Sequence, residues 1–120
     1  MDLKIDKVKG HGDAAHEWVR LRASADCDVG HYIIVDNTYY ANGKVSNELR
    51  NSFWFPDKDI KEGDYVILRT GEGVDGTSEM TDRTPLHEFF WGLNSPVWND
   101  SGDAITLIHA DTWTFQKVDE

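Results

Sequence analysis

The chain has one cysteine in 120 residues. No internal disulfide can form, so the fold must stand on packing alone, a pattern that suits a reducing compartment. Long apolar runs are also missing. Nothing approaches the ~20 residues that span a bilayer as a helix. The opening "MDLKIDKVKGHGD" has no apolar segment of signal-peptide length. As written, the chain reads as soluble and unsecreted, and as cytoplasmic if it is complete. Positive charge is scarce: 12 Lys and Arg stand against 22 Asp and Glu, a net charge of −10. That balance disfavours nucleic acid and anionic membranes as general partners, because phosphate affinity needs basic surface and counterion release. The exception is local. Lys4, Lys7, Lys9, Arg20 and Arg22 crowd the start of the chain against fewer acids.

Catalytic signatures are absent too. There is no Gly-x-Ser-x-Gly elbow and no Gly-x-x-x-x-Gly-Lys-Ser/Thr loop. No repeat, heptad or low-complexity tract appears. Cys27 lies between Asp26 and Asp28, which raise the pKa of a thiol and blunt its reactivity.

What the chain does have is aromatic residues: five Trp, five Phe and four Tyr. Disordered chains lack these, so the chain is expected to fold, and its length suits one domain over 1–120. The hydrophobic period is two, not 3.6. "EWVRLRA", "HYIIVD", "DYVILRT", "DAITLIHA" and "DTWTFQKV" read as strands. "SFWFP" reads as a sixth, stopped by Pro56, and "LHEFFWGL" as a seventh, with a helix starting at Thr84 as its rival. "DLKIDKV" suggests an N-terminal edge strand. Asn42-Gly43 in "YYANGKV" is a strong hairpin signal. "TGEGVDGTSEMTDRTP", residues 70–85, is polar and glycine-rich with no period, and reads as a long loop. Seven or eight short strands at close spacing argue for an antiparallel β-sandwich.

The order of strands and turns resembles the lamin tail domain family, from about Glu17 to about Phe115. "EWVRLRASADCDVGHYIIVD" is similar to that family's opening pair of strands. "FWFPDKDIKEGDYVILRTGEG" is similar to its Phe-Pro, Gly turn and apolar strand. "FFWGLNSPVWNDSGDAITL" is similar to its Trp-Gly, Trp-Asn, Gly-Asp turn and closing strand, and is the most specific of the three. Gly30 is followed by His31 and Tyr32 where the family usually carries a tryptophan. The resemblance implies an all-β, immunoglobulin-like antiparallel sandwich of about seven to nine strands, with residues 1–16 as an extension or edge strand. It also implies a non-catalytic interaction or structural module.

Several polar clusters are candidate sites. "HGDAAHEW" offers His11, Asp13, His16 and Glu17, the right groups for zinc or acid–base work but not at the i, i+4 helical spacing. His31, His87 and His109 fall on different predicted strands, and strand pairing decides whether they converge. Asn99, Asp100, Ser101 and Asp103 are hard oxygen donors of the kind calcium takes, yet they are also what a tight turn demands. "TGEGVDG" carries Glu72 and Asp75, which repel phosphate. None of these commits the chain to a catalytic residue, a metal or a cofactor, and no enzyme activity is expected.

The aromatic triplets are more informative. Successive strand residues point to opposite faces. A single core therefore cannot bury all of Phe53-Trp54-Phe55 or all of Phe89-Phe90-Trp91. Either Trp54, or Phe53 with Phe55, must face outward. With Tyr39 and Tyr40 nearby in sequence, Tyr39, Tyr40, Trp54 and Phe90 form the expected partner surface if neither the long loop nor the "TYYANGKV" hairpin covers them. The expected partner is a protein, bound through these aromatics or through a sheet edge. A nucleic-acid-associated module on the N-terminal basic residues, or a calcium- or carbohydrate-binding sandwich, is the alternative.

Overall fold

The computed structural model describes residues 1–10, 12–38, 42–43, 50–98 and 103–118. Among them the strands, in chain order, are β1 (Leu3–Lys9), β2 (Trp18–Ala23), β3 (Cys27–Asp28), β4 (Tyr32–Thr38), β5 (Asn51–Trp54), β6 (Asp59–Ile60), β7 (Tyr65–Arg69), β8 (Gly76–Glu79), β9 (Pro85–Phe90) and β10 (Asp103–His109). A single 3-10 turn, Val29–His31, links β3 to β4. No α-helix occurs among these residues, so the strand reading of "LHEFFWGL" holds over its helical rival.

The strands form a five-stranded sheet in the order β1-β2-β7-β9-β8, a three-stranded sheet β10-β4-β5 and a short pair β3-β6. Period-two patterning explains the layering. In β2, Val19, Leu21 and Ala23 are buried while Trp18, Arg20 and Arg22 alternate outward. Val66 and Leu68 of β7 and Phe89 of β9 join that inner face. Tyr32 and Ile34 of β4, Phe53 of β5, and Ile105 and Leu107 of β10 face them from the other sheet. The two inner faces close on one hydrophobic cluster, which makes the chain an all-β sandwich. Burying a side chain such as Leu21 or Ile34 stabilises the fold by about 1.5–3 kcal/mol before entropy is counted.

Three local expectations need correction. First, the pairing is not antiparallel throughout, because β7 and β9 run parallel, Tyr65 opposite Leu86 through Arg69 opposite Phe90. The reason is the order of assembly along the chain. After β7 the backbone travels to the sheet margin, forms β8, and turns back so that β9 fills the gap between β8 and β7.

Second, residues 70–85 are not one loop, since β8 lies within them. Its "GTSE" has no apolar side chain, all four residues are exposed, and the strand exists through backbone pairing with β9.

Third, "DTWTFQKV" is not a strand. β10 ends where His109 meets Tyr32, the first residue of β4, and both sides of β4 are already taken by β10 and β5. An alternating segment with no neighbouring strand has nothing to pair with. Phe115 is consequently 88 % exposed.

Candidate functional site

The first triplet resolves as alternation requires. Phe55 is buried, Phe53 packs against the core, and Trp54 faces out at 49 % exposure. Phe53 and Phe55 meet edge to face at 5.1 Å between ring centres. In the second triplet Phe89 is buried and Trp91 packs on the core. Phe90 is half-buried on the outer face, where Gly73 lies against its ring so closely that any Cβ at 73 would overlap it. The Asp75 carboxylate accepts the Phe90 N–H at 2.9 Å, holding that stretch in place. Tyr39 and Tyr40 lie outside the described residues.

Trp54 does not stand alone. Its indole Nε1–H donates to the Gly30 carbonyl at 2.7 Å, which fixes the ring. Trp113, 48 % exposed, meets it edge to face at 5.0 Å. Trp113 also abuts the His31 ring at 5.3 Å, and His31 faces His109 at 6.4 Å. His109 stacks on buried Tyr32 at 4.7 Å. A continuous aromatic and imidazole rim thus runs from the β5 edge to β10. The main chain holds it together: the Ala110 N–H donates to the His31 carbonyl at 2.8 Å, and His31 Nδ1–H donates to the Ala110 carbonyl at 3.2 Å. Beside the rim is a cleft of about 280 Å³, lined by Asp2, Cys27, Asp28, His31, Tyr32, His109 and Asp111.

Of the three histidines expected on strands, then, His31 and His109 come together and His87 does not. His87 is buried in the five-stranded sheet, its Nε2 paired with Asp64 at 2.9 Å. The "HGDAAHEW" group does not assemble either. Asp13 and His16 pair on the surface at 2.7 Å, and His16 holds the Asp13 carboxyl below its usual pKa. Glu17 instead turns inward and is buried. His11, Asn99, Asp100 and Ser101 lie outside the described residues. Among the described residues no group of three or more His, Cys, Asp or Glu is placed to hold a metal ion.

Cys27 behaves as its neighbours predict, though burial is the larger cause. Burial, helped by Asp2, Asp28 and Asp26, pushes its pKa up to about 11 from the ordinary 9.0. The thiolate is the reactive form. Iodoacetamide at pH 8 should therefore alkylate Cys27 roughly a hundredfold more slowly in the native than in the denatured chain. The native rate should climb as pH nears about 11. Equal rates in both states would contradict this. Because the native value is the higher, Cys27 favours the fold below pH 9.0 and gives up that contribution as pH rises towards about 11.

The chain matches no protein-family model, and no curated protein matches it.

The convergence of Trp113, His31 and His109 was not read from the sequence. The signal was present in part, since antiparallel pairing of "HYIIVD" with "TLIHA" brings the two histidine-bearing ends together. What was missing was the pairing itself.

Proposed function

We propose that this chain is a non-catalytic interaction module that takes a protein partner on the Trp54–Trp113 rim. One observation carries the reading: two half-exposed tryptophans touch each other, and one is pinned by its own N–H. Large aromatic side chains held in a fixed pose bury much area at little entropic cost, and they dominate interface energies. The imidazoles of His31 and His109 and the carboxylate of Asp111 supply a polar border. Among the described residues each imidazole partners a carboxylate or a carbonyl. The resemblance of residues 17–115 to lamin tail domains agrees with a binding role, although the fold alone hosts many functions.

A photo-crosslinking residue at position 54, used in the native cellular setting, should yield a discrete protein adduct. The same residue at Val74, 89 % exposed in the connection between β7 and β8, should not. With that partner in hand, Trp54→Ala should weaken binding by about 2–4 kcal/mol, the range of an interface anchor. Identical adduct patterns at 54 and 74 would end the proposal.

A further inference from the structure

We propose that the free edge of β1 receives an extended strand from an acidic protein partner, one that alternates carboxylate and apolar side chains. The inference rests on the chain being an interaction module, but on a surface separate from Trp54.

β1 carries a bulge between Ile5 and Lys7. In a regular strand Lys4 and Lys7 would point to opposite faces. The β1–β2 register shifts at Asp6, so Lys4 lies opposite Arg22, Lys7 opposite Arg20 and Lys9 opposite Trp18. Directly paired residues share a face. All three lysines therefore point outward with Arg20 and Arg22, and Arg69 follows, opposite Trp18 on β7. Six of the 12 Lys and Arg in a chain of net charge −10 share one face of one sheet.

The arginines are already engaged. Arg20 pairs with Asp6 at 2.7 Å, and Arg69 with Glu88 at 3.2 Å. Arg20 and Arg22 lie over the Tyr65 ring at 4.9 and 4.8 Å. Among the described residues, no acid pairs with Lys4, Lys7 or Lys9, and all three are exposed.

The same bulge sends Ile5 and Val8 to the opposite face, against Leu21 and Val19. Since β1 is the last strand, their outer flanks are bare, at 39 % and 37 % exposure. Among the described residues no strand pairs with the edge backbone on that side. A cavity of about 410 Å³, lined by Lys4, Ile5, Asp6, Arg22, Ala23 and Ser24, opens beside its first half.

An added strand would meet all three features at once. Its backbone would take the free edge, about 4.8 Å away. Its carboxylates, repeating every ~6.8 Å on one face, would reach the lysines, and its apolar residues would cover Ile5 and Val8. A second copy of β1 fits badly, because it would set lysine against lysine. A bulged, lysine-bearing edge repels most strands for that reason, and an acidic one is the exception. Nucleic acid would use the cations but leave the edge backbone and both apolar flanks unused.

The test uses a fluorescent peptide of about seven alternating Glu and Val residues, matching β1 in length. A block isomer of the same composition and a single-stranded oligonucleotide serve as comparisons, all read by anisotropy. The alternating peptide should bind best, slow amide exchange along β1, and weaken with salt. Lys4→Gln/Lys7→Gln/Lys9→Gln should raise its Kd roughly tenfold, the worth of three exposed ion pairs. The charge-reversed Glu triple should raise it further, with both variants checked for an unchanged melt. Trp54→Ala should leave the Kd alone. Equal binding of the block isomer, tighter binding of the oligonucleotide, or indifference to the lysines would each overturn the proposal. So would a stable dimer that the lysine variants dissolve. Loss of peptide binding in Trp54→Ala would move the peptide to the rim, sinking the β1 site while sparing the module.

Discussion

Glu17→Ala should cost about 3–5 kcal/mol of folding stability, because its carboxylate is a buried acceptor for four separate donors. The side chain is 1 % exposed. Oε1 accepts from the Thr70 hydroxyl at 2.6 Å and the Val97 N–H at 2.8 Å. Oε2 accepts from the Trp98 N–H at 3.2 Å and the Gly12 N–H at 3.3 Å. Glu17 also pairs through its backbone, its carbonyl accepting the Thr70 N–H at 3.1 Å. One residue thus ties the start of β2 to the end of β7 and to the 91–98 segment. Alanine leaves three buried donors without acceptors, each worth about 1–3 kcal/mol, with partial relief from entering water. Against a typical total of about 5–15 kcal/mol that loss is severe. Glutamine keeps one acceptor but aims an N–H₂ at donors, so Glu17→Gln should fall between parent and alanine. Urea midpoints for the three proteins decide it. A Glu17→Ala variant within about 1 kcal/mol of the parent would mean that water replaces the carboxylate cheaply.

Glu17 also shows where sequence reading stops. It stood among His11, Asp13 and His16 as a polar cluster, and nothing in residue type separates an exposed carboxylate from a buried one. The acids share a pattern that only the structure exposes. Asp28 accepts the N–H groups of Gly30 and Lys58, Asp26 that of Glu62, Asp64 that of Lys61, Asp75 that of Phe90 and Asp82 that of Thr84. Some of these contacts close local turns, as Asp82 does for Thr84, and others reach across the fold, as Asp28 does to Lys58 and Asp26 to Glu62. The acidic excess is therefore a poor pointer to a partner.

The central strands were legible because their side chains are what hold them. β2, β4, β7 and β10 each carry the apolar alternation or apolar run that a buried face imposes. That the Phe53-Trp54-Phe55 triplet must divide between two faces was legible for the same reason, but not which side turns outward. β8 was not, because it has no apolar side chain and is held by backbone pairing with β9 and by polar contacts such as Ser78 to Glu88. The parallel β7–β9 pair was hidden as well, since alternation encodes faces and not the direction of the neighbour. The C-terminal "TWTF" misled for the converse reason: it alternates but has no strand to join. The rim that joins Trp113 to Trp54 depends on the β10-β4-β5 register, which no local pattern contains.

Trp98→Ala should cost about 3–5 kcal/mol, as truncation of a buried aromatic does, while Trp54→Ala costs about 1 or less. Trp98 is 4 % exposed and lies in the core cluster, tilted against Trp91 at 5.9 Å. Its backbone N–H is one of the four donors on Glu17, so core packing and the buried carboxylate fix the same residue from two sides. Trp54 loses only a half-covered ring and one hydrogen bond to Gly30. The indole Nε1 of Trp98 is buried and has no acceptor among the described residues. Trp98→Phe therefore trades a smaller void against removal of an unpaired donor, and should cost about 1–2 kcal/mol. The ordering Ala, then Phe, then parent is the check, read from chemical denaturation with tryptophan emission as the probe. The Trp54 comparison reaches beyond stability. A rim that serves a partner should be dispensable to the fold. If Trp54→Ala destabilised as much as Trp98→Ala, Trp54 would be a wall of the core, and the surface proposed for binding would be structural.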